Sequence, residues 1–369
     1  MIDSRQAGML YKRIRVLSNI WLLAAVMLAQ TTPISAQADK ISLEGLTQKA
    51  QFADSTFQLP LGLHADNFLI PEDNPMTKNK IELGRALYFD VRLSANNTIS
   101  CATCHAPNMA FTDNQPVSLG INRQKGRLSS PTVINRAFSE EQFWDGRAVS
   151  LEEQAKGPLI NPVEMGNPNH DYVINKLKNI DGYVRWFKKV FNNDVNINDL
   201  AKAIASFERT VVSGNSRVDR YNMGDETALT DSEKRGLVLF REKGSCNKCH
   251  SGSNFSDEMF HNIGVGWEDG EINLGRYSVT KNARDIGAFK TPTLREISKT
   301  APYMHDGRFA TLEQVMDFYI QGGEQNPFLD TFMKKLEIKE HEKNDIVAFL
   351  KALDGEGWQH LAPPDRFPE

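Results

Sequence analysis

The sequence predicts a mainly α-helical fold in which one helical domain occurs twice, and three observations carry that expectation. Apolar residues recur at helical spacing, helix-opening caps precede several of them, and two Cys-x-x-Cys-His segments lie inside matching frames. Strand-like alternation is scarce.

The first frame begins with Gly84-Arg-Ala-Leu-Tyr-Phe89, whose spacing is helical, and leads to a Ser-Cys start at Cys101. The second begins with Gly236-Leu-Val-Leu-Phe240 and leads to Cys246. Downstream, Pro131-Thr-Val-Ile is echoed by Pro292-Thr-Leu-Arg, and Phe143 to Gln154 is matched without gaps by Met304 to Val315. Ser150 with Glu153, Thr230 with Glu233 and Thr311 with Gln314 each have capping-box spacing. Leu200, Ile204, Phe207 and Val211 form one buried helical stripe, and Ile346, Phe349, Leu350 and Leu353 another. The expected organisation is two homologous domains, 39–225 and 226–369, joined around Ser213 to Thr227, with long loops between their helices.

Residues 1–38 read as a secretion signal. Lys12, Arg13 and Arg15 precede an apolar run from Ile20 to Ala29, and Ala36-Gln37-Ala38 is a small-residue cleavage site. The run is short for a bilayer span, so the mature chain is expected in the periplasm. With 40% hydrophobic and 24% charged residues, the composition is globular. A formal net charge of -4 and the lack of a basic block argue against a nucleic-acid partner.

Every cysteine is used by the repeated motif: Cys101-Ala-Thr-Cys104-His105 and Cys246-Asn-Lys-Cys249-His250. In such a segment both thiols add to haem vinyl groups and the adjacent imidazole ligates the iron, so the pattern predicts two covalently attached haem c groups. A structural zinc site would want the two pairs close in sequence and would not need a histidine after each. Adjacent-pair disulfides followed twice by histidine would be a coincidence. The predicted fold is therefore two tandem class I cytochrome-c-like domains, each carrying one haem.

Function then turns on the face of each iron opposite its histidine. Carrying the gapless match forward places Tyr319 of the second half opposite Pro158 of the first. A phenol can ligate iron and a proline cannot, so the first haem is expected open and the second capped. Met316 and Met304 are thioether alternatives for the second iron, and His305 and His261 nitrogen alternatives; Tyr319 as a plain core aromatic is the other reading. Glu164, shortly after Pro158, is the candidate proton shuttle for breaking a peroxide bond, with Gln154 one turn before Pro158 as a hydrogen-bonding neighbour. Trp144 occupies the frame position of His305 and is a candidate relay between the haems, against the commoner role of core packing.

These segments together resemble the bacterial dihaem cytochrome c peroxidase and MauG family. The likeness covers essentially the whole mature chain, through Leu83 to Asp90, Arg92-Leu-Ser94, both haem segments, Ser130 to Asn135, Phe143 to Arg147, Gln154 to Pro158, Val163-Glu-Met165 and Ala301 to Arg308. It implies that the N-terminal haem is peroxidatic, with Glu164, Pro158 and Gln154 on its distal side and Trp144 between the haems. Typical peroxidases of the family carry a loop histidine on the resting first haem, whereas Leu119-Gly-Ile-Asn-Arg-Gln124 has none. Tyr319 also stands where those enzymes have methionine, and both departures point to the MauG-like branch. The resemblance further implies calcium between the domains, near Ser129, Thr300 and Pro302, although Ser129 replaces an asparagine. Implied partners are hydrogen peroxide with a small cytochrome c or cupredoxin as electron donor, or a protein substrate, and a homodimer is allowed. The rival outside enzymes is a dihaem electron carrier with both irons closed by protein ligands.

Overall fold

In the computed structural model, residues 46–267 and 273–369 are described. The expected leader, with its cleavage site, lies outside them. The α-helices in chain order are α1 (Lys78–Phe89), α2 (Cys101–Cys104), α3 (Leu151–Ile160), α4 (His170–Lys178), α5 (Asp181–Phe191), α6 (Ile197–Glu208), α7 (Arg217–Asn222), α8 (Asp231–Arg241), α9 (Tyr277–Thr280), α10 (Leu312–Gln321) and α11 (Glu340–Lys351). Two antiparallel ribbons, β1 (Lys49–Gln51) with β2 (Thr56–Gln58) and β3 (Phe260–His261) with β4 (Phe289–Lys290), are the strands among the described residues. The fold is mostly helical, as expected, and long irregular segments connect its helices.

Glycine decides how the main helix pairs cross. A Cβ on Gly84 of α1 would overlap the Ala203 carbonyl of α6, and one on Gly236 of α8 would overlap the Asp345 carbonyl of α11. Both backbones therefore approach as closely as they do because no side chain intervenes. The predicted stripes line these crossings: Leu200, Ile204, Phe207 and Val211 are buried in one, and Ile346, Phe349, Leu350 and Leu353 in the other.

The duplication is visible in backbone detail. Phe143 and Met304 have φ of 68° and 73°, and Gly146 and Gly307 both have 67°. Single β-bridges, Gln142 with Ala148 and Tyr303 with Phe309, close the two equivalent loops, which carry the equivalent ion pairs Asp145–Arg147 and Asp306–Arg308. Each loop feeds a capped helix: Ser150 accepts from the Glu153 backbone N–H and Thr311 from that of Gln314. Thr230–Glu233 and Thr311–Gln314 form complete capping boxes, whereas at Ser150 only the serine half forms, because Glu153 turns to Lys156.

The helices bury two apolar cores. One gathers residues of α1 to α6, the other residues of α7, α8, α10 and α11. The connection near 213–227 is itself structured: α7 buries Val218 and Asp219, and Asp219 pairs with the fully buried Arg295 at 2.7 and 2.9 Å. Trp358 packs edge-on against Phe111 in the first core, and the last residues return there, with Gly182 N–H donating to the Glu369 carbonyl and Arg92 to that of Pro368. The C-terminal segment thus belongs by packing to the first half.

Candidate active site

Each Cys-x-x-Cys-His segment winds into one tight helical turn, which brings both thiols and the histidine out together. Ser100 caps α2, and its capping box with Thr103 holds the turn. All four thiols are free of disulfides. The histidines are oriented identically: His105 Nδ1–H donates to the Phe111 carbonyl at 3.3 Å and His250 Nδ1–H to the Phe255 carbonyl at 3.0 Å. A carbonyl can only accept, so Nδ1 carries the proton in both and Nε2 keeps its lone pair. Burial lowers both imidazoles below their ordinary value, which keeps that lone pair available at neutral pH. Two thiols and one neutral imidazole nitrogen on one turn fit covalent haem at both places.

A cavity of about 560 Å³ adjoins the first segment, within the range of roughly 300 to 1,000 Å³ usual for small-molecule sites. It is lined by Cys104, His105, Trp144, Gln154, Pro158 and Glu164. Gln154 and Pro158 share a face of α3, one turn apart, and proline there also removes an N–H that the turn would otherwise use. The chain leaving α3 then folds back on Asn161, whose Nδ2 donates to Glu164 Oε1 at 2.7 Å. Burial raises the Glu164 carboxyl above the usual range, against the opposing pull of Arg147. Among the described residues lining this cavity there is no methionine, no tyrosine and no histidine besides His105. The 119–124 stretch contributes Gly120, a backbone wall.

The second cavity, of about 250 Å³, is lined differently. His250, Tyr319, Met316, Met304, His305 and His261 all reach it. Burial, with the Cys246 and Cys249 sulfurs nearby, pushes the Tyr319 phenol well above its ordinary value, so its ionised form would need a cation beside it. His261 is held by carboxylates on both ring nitrogens, Asp257 at 2.9 Å and Asp330 at 2.6 Å. With a carboxylate on each side both ring nitrogens act as donors, so neither has a lone pair to give. Cys249, Asp257 and His261 also bring ligand atoms within 4.8 Å of one another, but the haem attachment that the motif predicts at Cys249 would remove its thiolate from such a set. His305 is stacked on Phe289 at 3.7 Å, and burial lowers it to about 4.

Trp144 borders both cavities. Its Nε1–H donates to the Ser129 carbonyl at 2.9 Å, its carbonyl accepts from the Lys290 N–H at 2.8 Å, and its ring meets His305 edge-on at 6.5 Å. Ser129, Thr300 and Pro302 line the second cavity, and Ser129 the first as well. They offer hydroxyl and carbonyl oxygens without a carboxylate, a weak donor set for calcium, and the Ser129 carbonyl already accepts from Trp144. No chemical step is assigned to that ion. Sequence reasoning missed Arg136 and Lys290, which border both cavities, and Glu208 in the first.

A sequence profile described as di-haem cytochrome c peroxidase matches residues 78–227. The methylamine utilization protein MauG of Methylorubrum extorquens is 41% identical over 288 residues, which cover 78% of this chain and 81% of that protein. The chain belongs to the dihaem cytochrome c peroxidase and MauG family. Within it, the cytochrome c551 peroxidase of Nitrosomonas europaea is 40% identical, covering 76% of this chain and 82% of its own. A solved structure described as a MauG-like protein associated with microbial copper homeostasis superposes with a TM-score of 0.75 at 34% identity, over 80% of this chain and 96% of that one. As a member, the protein is an oxidoreductase of the dihaem peroxidase kind, and haem is its cofactor.

Proposed function

We propose that this peroxidase works in the periplasm as an unequal pair of haem c groups, attached at Cys101 and Cys104 and at Cys246 and Cys249, on two tandem class I cytochrome-c-like domains, 39–225 and 226–369, the second lending its last residues to the first core. The single observation that carries the reading is the difference in donors: the first cavity meets Pro158 where the second meets Tyr319.

Haem supplies the iron on which peroxide is reduced, two electrons and two protons turning hydrogen peroxide into two waters. This chain's residues do the rest. Gln154 and Glu164 receive peroxide in the first cavity beside Pro158, which leaves space and no ligand. Glu164, held through Oε1 by Asn161 and raised by burial, takes the proton from the near oxygen and returns it to the far one. Trp144, fixed at both its indole N–H and its carbonyl, lies between the cavities as the electron relay. Tyr319 would be the residue that holds the second haem from this side: both nitrogens of His261 are taken, Met316 is buried in the core, and the phenol shares the cavity with Cys246 and Cys249. Electrons enter at the second haem from a small cytochrome c, a cupredoxin or an oxidisable protein. The absence of a ligating histidine from 119–124 favours the MauG-like branch, ready for peroxide as isolated.

The test is electron paramagnetic resonance and absorption spectroscopy of the resting and peroxide-treated protein. A high-spin ferric signal from one haem and a low-spin signal from the other, with only the first perturbed by peroxide, is the expected result. Two low-spin signals at rest would reduce the protein to an electron carrier.

A further inference from the structure

Glu208 closes α6 at the wall of the first cavity, is 5% exposed, and has a buried Oε2 with no hydrogen-bond partner. The cations near it are committed elsewhere. Arg209 forks onto Glu152 of α3 at 2.6 and 3.0 Å and gives Nε to the Leu69 carbonyl at 2.8 Å. Arg136, from the loop after the first haem segment, gives Nε to Gln142 at 2.8 Å and a terminal nitrogen to the Glu141 carbonyl at 3.0 Å. Glu152 adds a second negative charge, while Tyr88 of α1 and Cys101 of α2 both feel Glu208 as a charge that opposes their ionisation. Burial pushes the Glu208 carboxyl up to about 8. A buried carboxylate without a committed cation is costly, and a buried acid O–H still needs somewhere to point.

The second half shows what this position looks like without that burden. Gly84 lies against Ala203 and Phe207 in one crossing, as Gly236 lies against Asp345 and Phe349 in the other. One residue further on, Glu208 therefore pairs with Leu350, which lines the second cavity. The same helix face presents a carboxyl to one cavity and a hydrocarbon to the other.

We propose that Glu208 is a proton store belonging to the first haem alone. When that haem gives up one electron to a one-electron oxidant, the Glu208 O–H bond would break and its proton pass through the cavity to water; when one electron returns, a proton taken back from water would re-form the bond. Glu208 is a positioning residue, separate from Glu164, which moves peroxide's own protons. The inference rests on haem being held in the first cavity.

The experiment is potentiometric titration of both haems at several pH values, after a pyridine haemochrome assay has counted them. In the unaltered protein the first-haem potential should fall as pH rises through neutrality, Glu208→Gln should lose most of that slope with both haems retained, and Glu208→Asp should keep it. The second-haem slope should be equal in all three. Redox-difference infrared spectroscopy should show a deuterium-sensitive protonated-carboxyl band that persists in Glu164→Gln. Equal slopes in the unaltered protein and Glu208→Gln, or no such band, would overturn the proposal, and the infrared readout on the unaltered protein decides it even if the glutamine variant fails to load haem. A protein lacking the first haem would instead refute the assignment of that cavity.

Discussion

Pro158 and Tyr319 stand at the same place in two copies of one helix, and Glu208 and Leu350 at the same place in two copies of another. Around them the copies agree closely: the glycine crossings, the left-handed turns at Phe143 and Met304, and the histidine Nδ1 bonds to a loop carbonyl all recur. The comparison teaches that a duplicated scaffold can keep two Cys-x-x-Cys-His turns in one geometry while a few side chains facing the cavities change the chemistry each cavity offers. On the proposed reading, a proline in place of a phenol removes a ligand, and a carboxyl in place of a leucine adds a proton.

The comparison can be broken most sharply at Glu164. Glu164→Gln keeps size and the Asn161 contact but cannot shuttle a proton, so stopped-flow reaction with peroxide should slow about 100- to 10,000-fold with both haems intact. An unchanged rate would remove Glu164 from the chemistry. Next in size is the buried pair Arg295–Asp219, which has no counterpart in the first half, where the frame position of Arg295 is the apolar Ile134. Asp219→Ala strands a fully buried guanidinium and should cost about 3–5 kcal/mol in denaturant unfolding, against about 0.5–1.5 kcal/mol for Ile134→Val.

Where the halves agree, the variants should agree too. Gly84→Ala and Gly236→Ala each force a methyl into a facing carbonyl, and each should cost about 1–3 kcal/mol, read as urea midpoints of the holoprotein. A large difference between them would show that the crossings only look alike. The smallest effect concerns pH. The native Glu208 carboxyl holds its proton to about pH 8, whereas the unfolded chain releases it near its ordinary value of 4.5. Between those values the native state binds more protons, so this group makes stability fall as pH rises through the window. Urea unfolding at about pH 5 and about pH 8 should show that loss, and Glu208→Gln should shrink it.

The attachment motifs and the repeat were legible because they are local: four cysteines, two histidines and a gapless match need no tertiary knowledge. Pro158, Gln154 and Trp144 followed from register and Glu164 from its place shortly after Pro158, and in the structure all four line one cavity. Glu208 was hidden in plain view. Its neighbours Leu200, Ile204 and Phe207 mark a buried stripe, yet a glutamate at the end of that helix reads as solvated until the packing of α3 and the first cavity shuts it in. Arg136 and Lys290 were missed for the same reason, since lying between two cavities is a property of the assembled halves. The return of the last residues to the first core was equally unreadable, because contacts across such sequence distances leave no periodic trace.

That return has a consequence for assembly. Trp358 packs against Phe111, a few residues from His105, so the core begun earliest in the sequence receives part of its packing from a segment made hundreds of residues later. The order in which the chain emerges and the order in which its cores close are therefore different, and a half-made polypeptide would present its first core with one side still open to water.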